Sequence, residues 1–98
     1  MSALDELWGV VKSVPEGRVA GYGDVGRALS NPVSGLLVGK WMAQCPPTLP
    51  WWRIVGRNGD LLVGHRNPVL ALEQRQRLES EGVEFDGELV SQSMFWIP

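Results

Sequence analysis

The sequence predicts a small, mostly α, winged-helix-like domain with a helix-turn-helix and a short extended element. Three observations predict it. Leu4, Leu7, Trp8 and Val11 recur at helical spacing over residues 3–13. Two further short helical segments meet at Ser30-Asn31-Pro32, a tight turn of the kind that joins a helix-turn-helix. Arg53-Ile54-Val55 is a β-branched run bounded by prolines upstream and by an Asn-Gly turn downstream. Ninety-eight residues suit a single domain, 1–98, with one modest core.

Taken in order, the first helix ends at Pro15 and Gly17, which make Val14–Val19 a turn. Tyr22 to Leu29 reads as a second helix with Val25, Ala28 and Leu29 on one side. A third is expected to start at Ser30-Asn31-Pro32, a polar cap followed by proline, and to run to about Ala43, before Pro46-Pro47. Arg57-Asn58-Gly59-Asp60 is a turn, and Leu61 to Arg66 an exposed loop or short strand. Asn67-Pro68 opens a last helix with Leu70, Leu72 and Leu78 among its apolar positions, ended by Gly82. Val83-Glu84-Phe85 and the tail Met94-Phe95-Trp96-Ile97 are expected to pack back on the core.

Composition excludes several classes. With one Cys45 and one His65 there is neither a disulfide framework nor a Cys/His zinc site, and no cofactor is expected. No apolar run approaches the roughly 18 residues of a membrane span, and Met1–Glu6 has no basic leader, so a cytosolic, membrane-free protein is expected. The net charge of −2 hides an asymmetry. Residues 12–66 hold seven basic and three acidic residues, a net of +4, whereas residues 67–98 are −4. That split fits an anion-binding face or random scatter about equally well.

No nucleophile–base arrangement stands out. Cys45 reads as an ordinary helix-end residue, Glu79 and Glu81 as a solvated helix face, and no nucleotide-type glycine loop is present. The residues therefore point to binding. In the third helix Gly35 and Gly39 sit at i and i+4 beside Ser34, each glycine costing about 1 kcal/mol relative to alanine. Such a stripe admits a close backbone, either a duplex groove wall or another helix of the same chain. Because Val33, Leu37 and Trp41 form a separate stripe suited to the core, the glycine face is expected to look outward, and the Pro32 end offers N–H groups to a phosphate.

The run Pro50-Trp51-Trp52-Arg53 resembles the Pro-Cys-His-Arg signature of the O6-alkylguanine-DNA alkyltransferases, with Trp51 in the place of the acceptor cysteine and Trp52 in that of its histidine. Val14-Pro15-Glu16-Gly17-Arg18-Val19 with Tyr22, the stretch Asn31-Pro32…Val38-Gly39, and Gln74-Arg75-Gln76-Arg77-Leu78 followed by Glu81-Gly82-Val83 are similar to the same family's DNA-binding domain. The resemblance covers roughly residues 5–85, and the tryptophan substitution is that of the alkyltransferase-like proteins. It implies the alkyltransferase C-terminal-domain fold and no alkyl transfer. It further implies binding of double-stranded DNA carrying O6-alkylguanine, with the damaged nucleotide flipped into a pocket. Such a monomer would flag damage for nucleotide excision repair proteins. On residue type alone Trp51 reads as core packing.

The resemblance implies a site of Tyr22, Ser34, Gly35, Leu36, Gly39, Lys40, Pro50, Trp51 and Arg53. Tyr22 would crowd the phosphate beside the lesion, Trp51 would line the pocket floor, and Trp52 would be a core or supporting residue. Arg53 would tie the site to backbone carbonyls, and Leu61 to Arg66 would form the lid. One departure stands out. The family inserts an arginine from its recognition helix into the base stack, and here the matching residue is Leu36, with no Arg or Lys between Arg27 and Lys40. An apolar side chain can also wedge a base step. Two rivals remain: a general helix-turn-helix DNA-binding or regulatory module without lesion specificity, and an enzyme using Cys45 as a displaced alkyl acceptor.

Overall fold

Local signals start and stop most of the helices. A computed structural model describes residues 2–98. Helix α1 (Ala3–Ser13) opens with a capping box, in which the Asp5 N–H donates to Ser2 Oγ at 3.1 Å and Asp5 reaches back to the Ser2 N–H. After the Pro15–Gly17 turn come strand β1 (Ala20–Gly21), helix α2 (Tyr22–Arg27) and helix α3 (Gly35–Met42). Trp51–Arg53 is a 3₁₀ turn leading into β2 (Ile54–Val55), which pairs in parallel with β1, Ala20 opposite Ile54. Helix α4 (Pro68–Ser80) starts on the Asn67 cap, whose side chain accepts the Val69 N–H at 3.0 Å. It ends before Gly82, held at φ +87°, which glycine adopts readily.

The main core gathers Leu7 and Val11 of α1, Val14, Ala20, Val25, Leu29, Val38 and Ile54. A second cluster of Val19, Val55, Leu78, Val83 and Val90 sits beside it. As expected, the tail packs back: the Val19 N–H donates to Met94 O at 3.0 Å and the Trp96 N–H to Val19 O at 2.8 Å. The hairpin β3 (Phe85–Asp86) and β4 (Leu89–Val90) was not foreseen, although Asp86-Gly87 signals its turn, with Gly87 at φ +64°.

Several expectations need correction. Helix α3 starts at Gly35, not at Pro32, because Ser34 is the working cap: its Oγ accepts the Leu37 N–H at 3.2 Å. The preceding Val33 lies outside the helix, and its N–H donates to Gly26 O at 3.2 Å. Val33 still packs on the core from outside the helix and Trp41 does so within it, as expected, but the rest of the inward side of α3 is Val38 and Met42 rather than Leu37, and only Val38 is fully buried. Helix α2 ends at Arg27, short of Leu29, and Ala28 is exposed. Residues Leu62–His65 form a 3₁₀ turn rather than an open loop or strand, closed by the Arg66 and Asn67 N–H groups on Val63 O, with Val63 buried. In α4, Leu72 is 65% exposed, and the buried position between Leu70 and Leu78 belongs to Gln74.

Candidate nucleic-acid interface

Close backbone packing sets α3 on α2. A Cβ on Gly26 would lie 2.2 Å from Val33 O, and one on Gly35 would lie 2.9 Å from the Gly23 nitrogen. The glycine pair of α3 therefore splits. Gly35 serves contact with the neighbouring helix, correcting the expectation that both glycines look outward, whereas a Cβ on Gly39 meets nothing within 4 Å. Between this helix pair and the 62–66 turn runs a trough of about 610 Å³. Tyr22, Gly35, Leu36, Gly39 and Lys40 line one wall, and Arg57, Leu62, Val63 and Arg66 the other. Leu36 is 76% exposed there. Lys40, Arg57 and Arg66 are exposed and ion-paired to no carboxylate among the described residues. Arg27 and Arg53, by contrast, are held by Asp24 and Glu81. The basic excess of residues 12–66 is thus partly spent on internal pairs and partly presented along this trough.

A chamber of about 250 Å³ opens off the trough, sharing Tyr22, Met42, Val63 and Arg66 with it. Trp51 lines the chamber and is half-buried, so the ring is not sealed in the core. Cys45, Ile54, Glu73 and Gln74 also line it. Burial pushes the Cys45 thiol up to about 11, so it carries almost no thiolate near neutral pH. Burial also raises the Tyr22 phenol above its ordinary value, opposed only by the Arg66 charge, which keeps the hydroxyl neutral and able to donate.

Behind Trp51 lies a buried polar cluster. Trp52 stands edge-on to Trp51, ring centroids 6.1 Å apart at 86°, and points away from the chamber. Its Nε1–H donates to Glu81 Oε2 at 2.9 Å, and the Arg77 guanidinium lies 4.5 Å from its ring centroid. Arg53 donates through Nε and Nη2 to the same carboxylate at 3.0 and 2.8 Å, and through Nη1 to Val14 O at 3.0 Å. The Gly17 N–H adds a bond of 3.1 Å. Burial alone would raise the Glu81 carboxyl, but the donors from Arg53, Trp52 and Gly17 outweigh it and hold the group below its ordinary value. Glu81 is therefore not part of a solvated face, as its sequence context suggested, and Arg53 ties mainly to this carboxylate with one backbone carbonyl besides.

Of the residues singled out by sequence, the structure brings Tyr22, Gly35, Leu36, Gly39 and Lys40 to the trough and Trp51 to the chamber. Ser34 is spent on capping α3, while Pro50 and Arg53 support the Trp51 turn from outside the cavity. Met42, Glu73 and Gln74 have no place in the site expected from the sequence, Cys45 enters it only as a rival alkyl acceptor, and Arg66 belongs to the stretch expected to form the lid. Only Gln74 carried a signal, as a polar residue midway between Leu70 and Leu78 at i and i+4 spacing.

Residues 3–83 match the family model of the 6-O-methylguanine DNA methyltransferase DNA-binding domain. The chain is 39% identical over 83 residues to a DNA base-flipping protein of Escherichia coli K12, covering 83% of this chain and 62% of that protein. The chain thus spans less than two thirds of that relative's length. It is 34% identical over 83 residues to alkyltransferase-like protein 1 of Schizosaccharomyces pombe, covering 81% of this chain and 74% of that one. The crystal structure of S. pombe Atl1 in complex with damaged DNA containing O6-carboxymethylguanine superposes with a TM-score of 0.81 at 26% identity, over 97% of this chain and 94% of that chain.

Proposed function

Because the chain belongs to the family of the 6-O-methylguanine DNA methyltransferase DNA-binding domain, we propose that it binds O6-alkylguanine in duplex DNA without catalysis, turning the damaged nucleotide into the Trp51 chamber. One observation carries this reading: an indole, inert toward alkyl transfer, faces a chamber that opens onto a basic, apolar-walled trough. The relatives named for base flipping and for damaged DNA support it.

Each residue then has a physical task. Lys40, Arg57 and Arg66 attract phosphates along the trough, a salt-dependent term. Gly39 leaves the α3 backbone open to a groove wall. Tyr22, at the junction of trough and chamber, crowds the backbone and helps rotate the nucleotide. Leu36 wedges the vacated step. Extrusion costs a few kcal/mol, least for a damaged base. Trp51 offers the alkyl group an apolar face, worth roughly 25 cal/mol per Å² covered. No alkyl transfer follows, since Trp51 has no nucleophile and Cys45 is protonated. The bound complex would serve as a mark for nucleotide excision repair.

A second reading, sequence-indifferent duplex binding without lesion recognition, draws on Leu36 in the place of an arginine and on the acidic total charge. A fluorescent base analogue placed next to O6-methylguanine separates the two. Brightening on addition of protein, absent with undamaged duplex, is expected; no change at saturating protein would favour the second reading.

A further inference from the structure

A second groove, of about 620 Å³, runs beside the 62–65 turn and shares no lining residue with the trough or the chamber. Helix α4 forms one wall with Pro68, Ala71, Leu72 and Arg75, a stripe at i, i+3, i+4 and i+7. Leu61 and the hairpin residues Glu88 and Leu89 form the other. The walls are pinned to each other. Arg75 donates through Nη1 to Gly87 O at 3.0 Å, lies 4.2 Å from the centroid of the Phe85 ring and pairs with Glu79 at 3.4 Å. Gly64 seats the turn on α4, since a Cβ there would lie 3.1 Å from that of Ala71.

Folding leaves apolar side chains to solvent here. Leu72 is 65% exposed, Leu89 38%, and Val69, one turn before Leu72, 70%. Gathered about one groove, they differ from the singly scattered apolar residues of an ordinary surface. The free charges around them have one sign. Asp60 and Glu88 line the groove, and Asp86 stands opposite Leu89 across the hairpin. None of the three is ion-paired among the described residues, whereas Arg75 is already engaged and His65 lies exposed at the rim. Strand β4 offers no free edge for an added strand, because the Val90 N–H is taken by Gly59 O, so side chains must hold any occupant.

We propose that this groove docks a short cationic, amphipathic helix of a partner protein. Its apolar stripe would lie against Leu72 and Leu89, and its lysine or arginine side chains beside Asp60, Asp86 and Glu88. The α4 stripe spans about 10 Å, two helical turns, which suits a short segment in transient exchange rather than a permanent complex. The unpaired carboxylates repel a nucleic-acid strand and leave that partner to the basic trough. The inference goes beyond the DNA reading and does not depend on it.

The test titrates the full chain, without DNA, into fluorescein-labelled peptides of about fourteen residues, four helical turns, and reads anisotropy. The first peptide places leucines at i, i+3, i+4 and i+7 among lysines, the second replaces its lysines with glutamate, and the third scrambles the first. The ordered lysine peptide is expected to bind at least about tenfold tighter than either of the others. Leu72→Ser, and separately Asp60→Lys with Glu88→Lys, should each weaken it by about tenfold. Leu36→Ser, a similarly exposed apolar change in the trough, should leave it unaltered. Thermal melting checks each variant, and if one fails to fold the other is read in its place. Comparable binding of the lysine and glutamate peptides, or of the ordered and scrambled ones, would overturn the inference, as would an affinity that neither groove variant lowers. So would a dimer in sedimentation equilibrium that Leu72→Ser dissolves, because the occupant would then be a second copy of this chain.

Discussion

Trp52 gives its indole N–H to Glu81 across 2.9 Å, joining the turn after Pro50 to the end of α4. In the resembling Pro-Cys-His-Arg signature this residue is a histidine, which can both accept and donate a proton. An indole N–H can only donate. The carboxylate therefore orients a structural ring and not a base.

Restoring the sulfur alone is accordingly expected to fail. Trp51→Cys should show no added methylene by mass spectrometry after incubation with O6-methylguanine duplex, since nothing beside it can take the thiol proton. Trp51→Cys combined with Trp52→His supplies a base backed by Glu81 and is expected to gain the modification. Methylation of the single variant would contradict this account of Trp52.

The same carboxylate anchors the fold. The Glu81 and Arg53 side chains are 9% and 14% exposed, so Glu81→Ala strands a guanidinium, the Trp52 N–H and the Gly17 N–H. A loss of about 3–5 kcal/mol is expected by denaturant unfolding. Because the folded-state carboxyl is held below its ordinary value of 4.5, its contribution is present above about that pH and is lost as pH falls through the lower folded value. Melting temperature should drop more steeply below pH 4.5 in the unsubstituted protein than in Glu81→Gln, and parallel profiles would refute the assignment.

The two glycines of α3 should part company. Gly35→Ala forces a Cβ to within 2.9 Å of the Gly23 backbone and is expected to destabilise by about 1–3 kcal/mol. Gly39→Ala meets open space and should stabilise the helix by up to about 1 kcal/mol. On the proposed function its DNA affinity should nevertheless fall, because the added methyl would stand where a groove wall is to approach. Thermal melts paired with gel shifts read both effects.

Leu36→Arg, at a position 76% exposed, should leave folding unchanged. It is expected to raise affinity for O6-methylguanine duplex by about tenfold and to steepen the salt dependence by about one unit of log–log slope. An unchanged affinity would count against Leu36 standing in the stacked step.

Much of this was legible in the residues. Asn67-Pro68 and Gly82 mark the two ends of α4 by local chemistry, and the structure keeps those bounds. Ser30-Asn31-Pro32 misled because Ser34 offers a competing cap, and only the close fit of Val33 against Gly26 of the preceding helix decides between them. Gly35 and Gly39 look alike in sequence, yet which one faces α2 depends on how the two helices dock. Glu81 looked solvated because its partners, Trp52, Arg53 and Gly17, lie 28 or more residues away in the chain. Cys45 and Gln74 reach the chamber through folding of separate segments, and the local pattern marks only the inward place of Gln74 between Leu70 and Leu78.

The account is most directly tested by the affinity ratio between O6-methylguanine duplex and the same undamaged duplex at fixed salt, measured for the unsubstituted chain and for Trp51→Ala. At least tenfold preference for the damaged duplex is expected, shrinking toward unity once the indole is removed while undamaged binding stays the same. Equal affinity of the unsubstituted chain for both duplexes would contradict it.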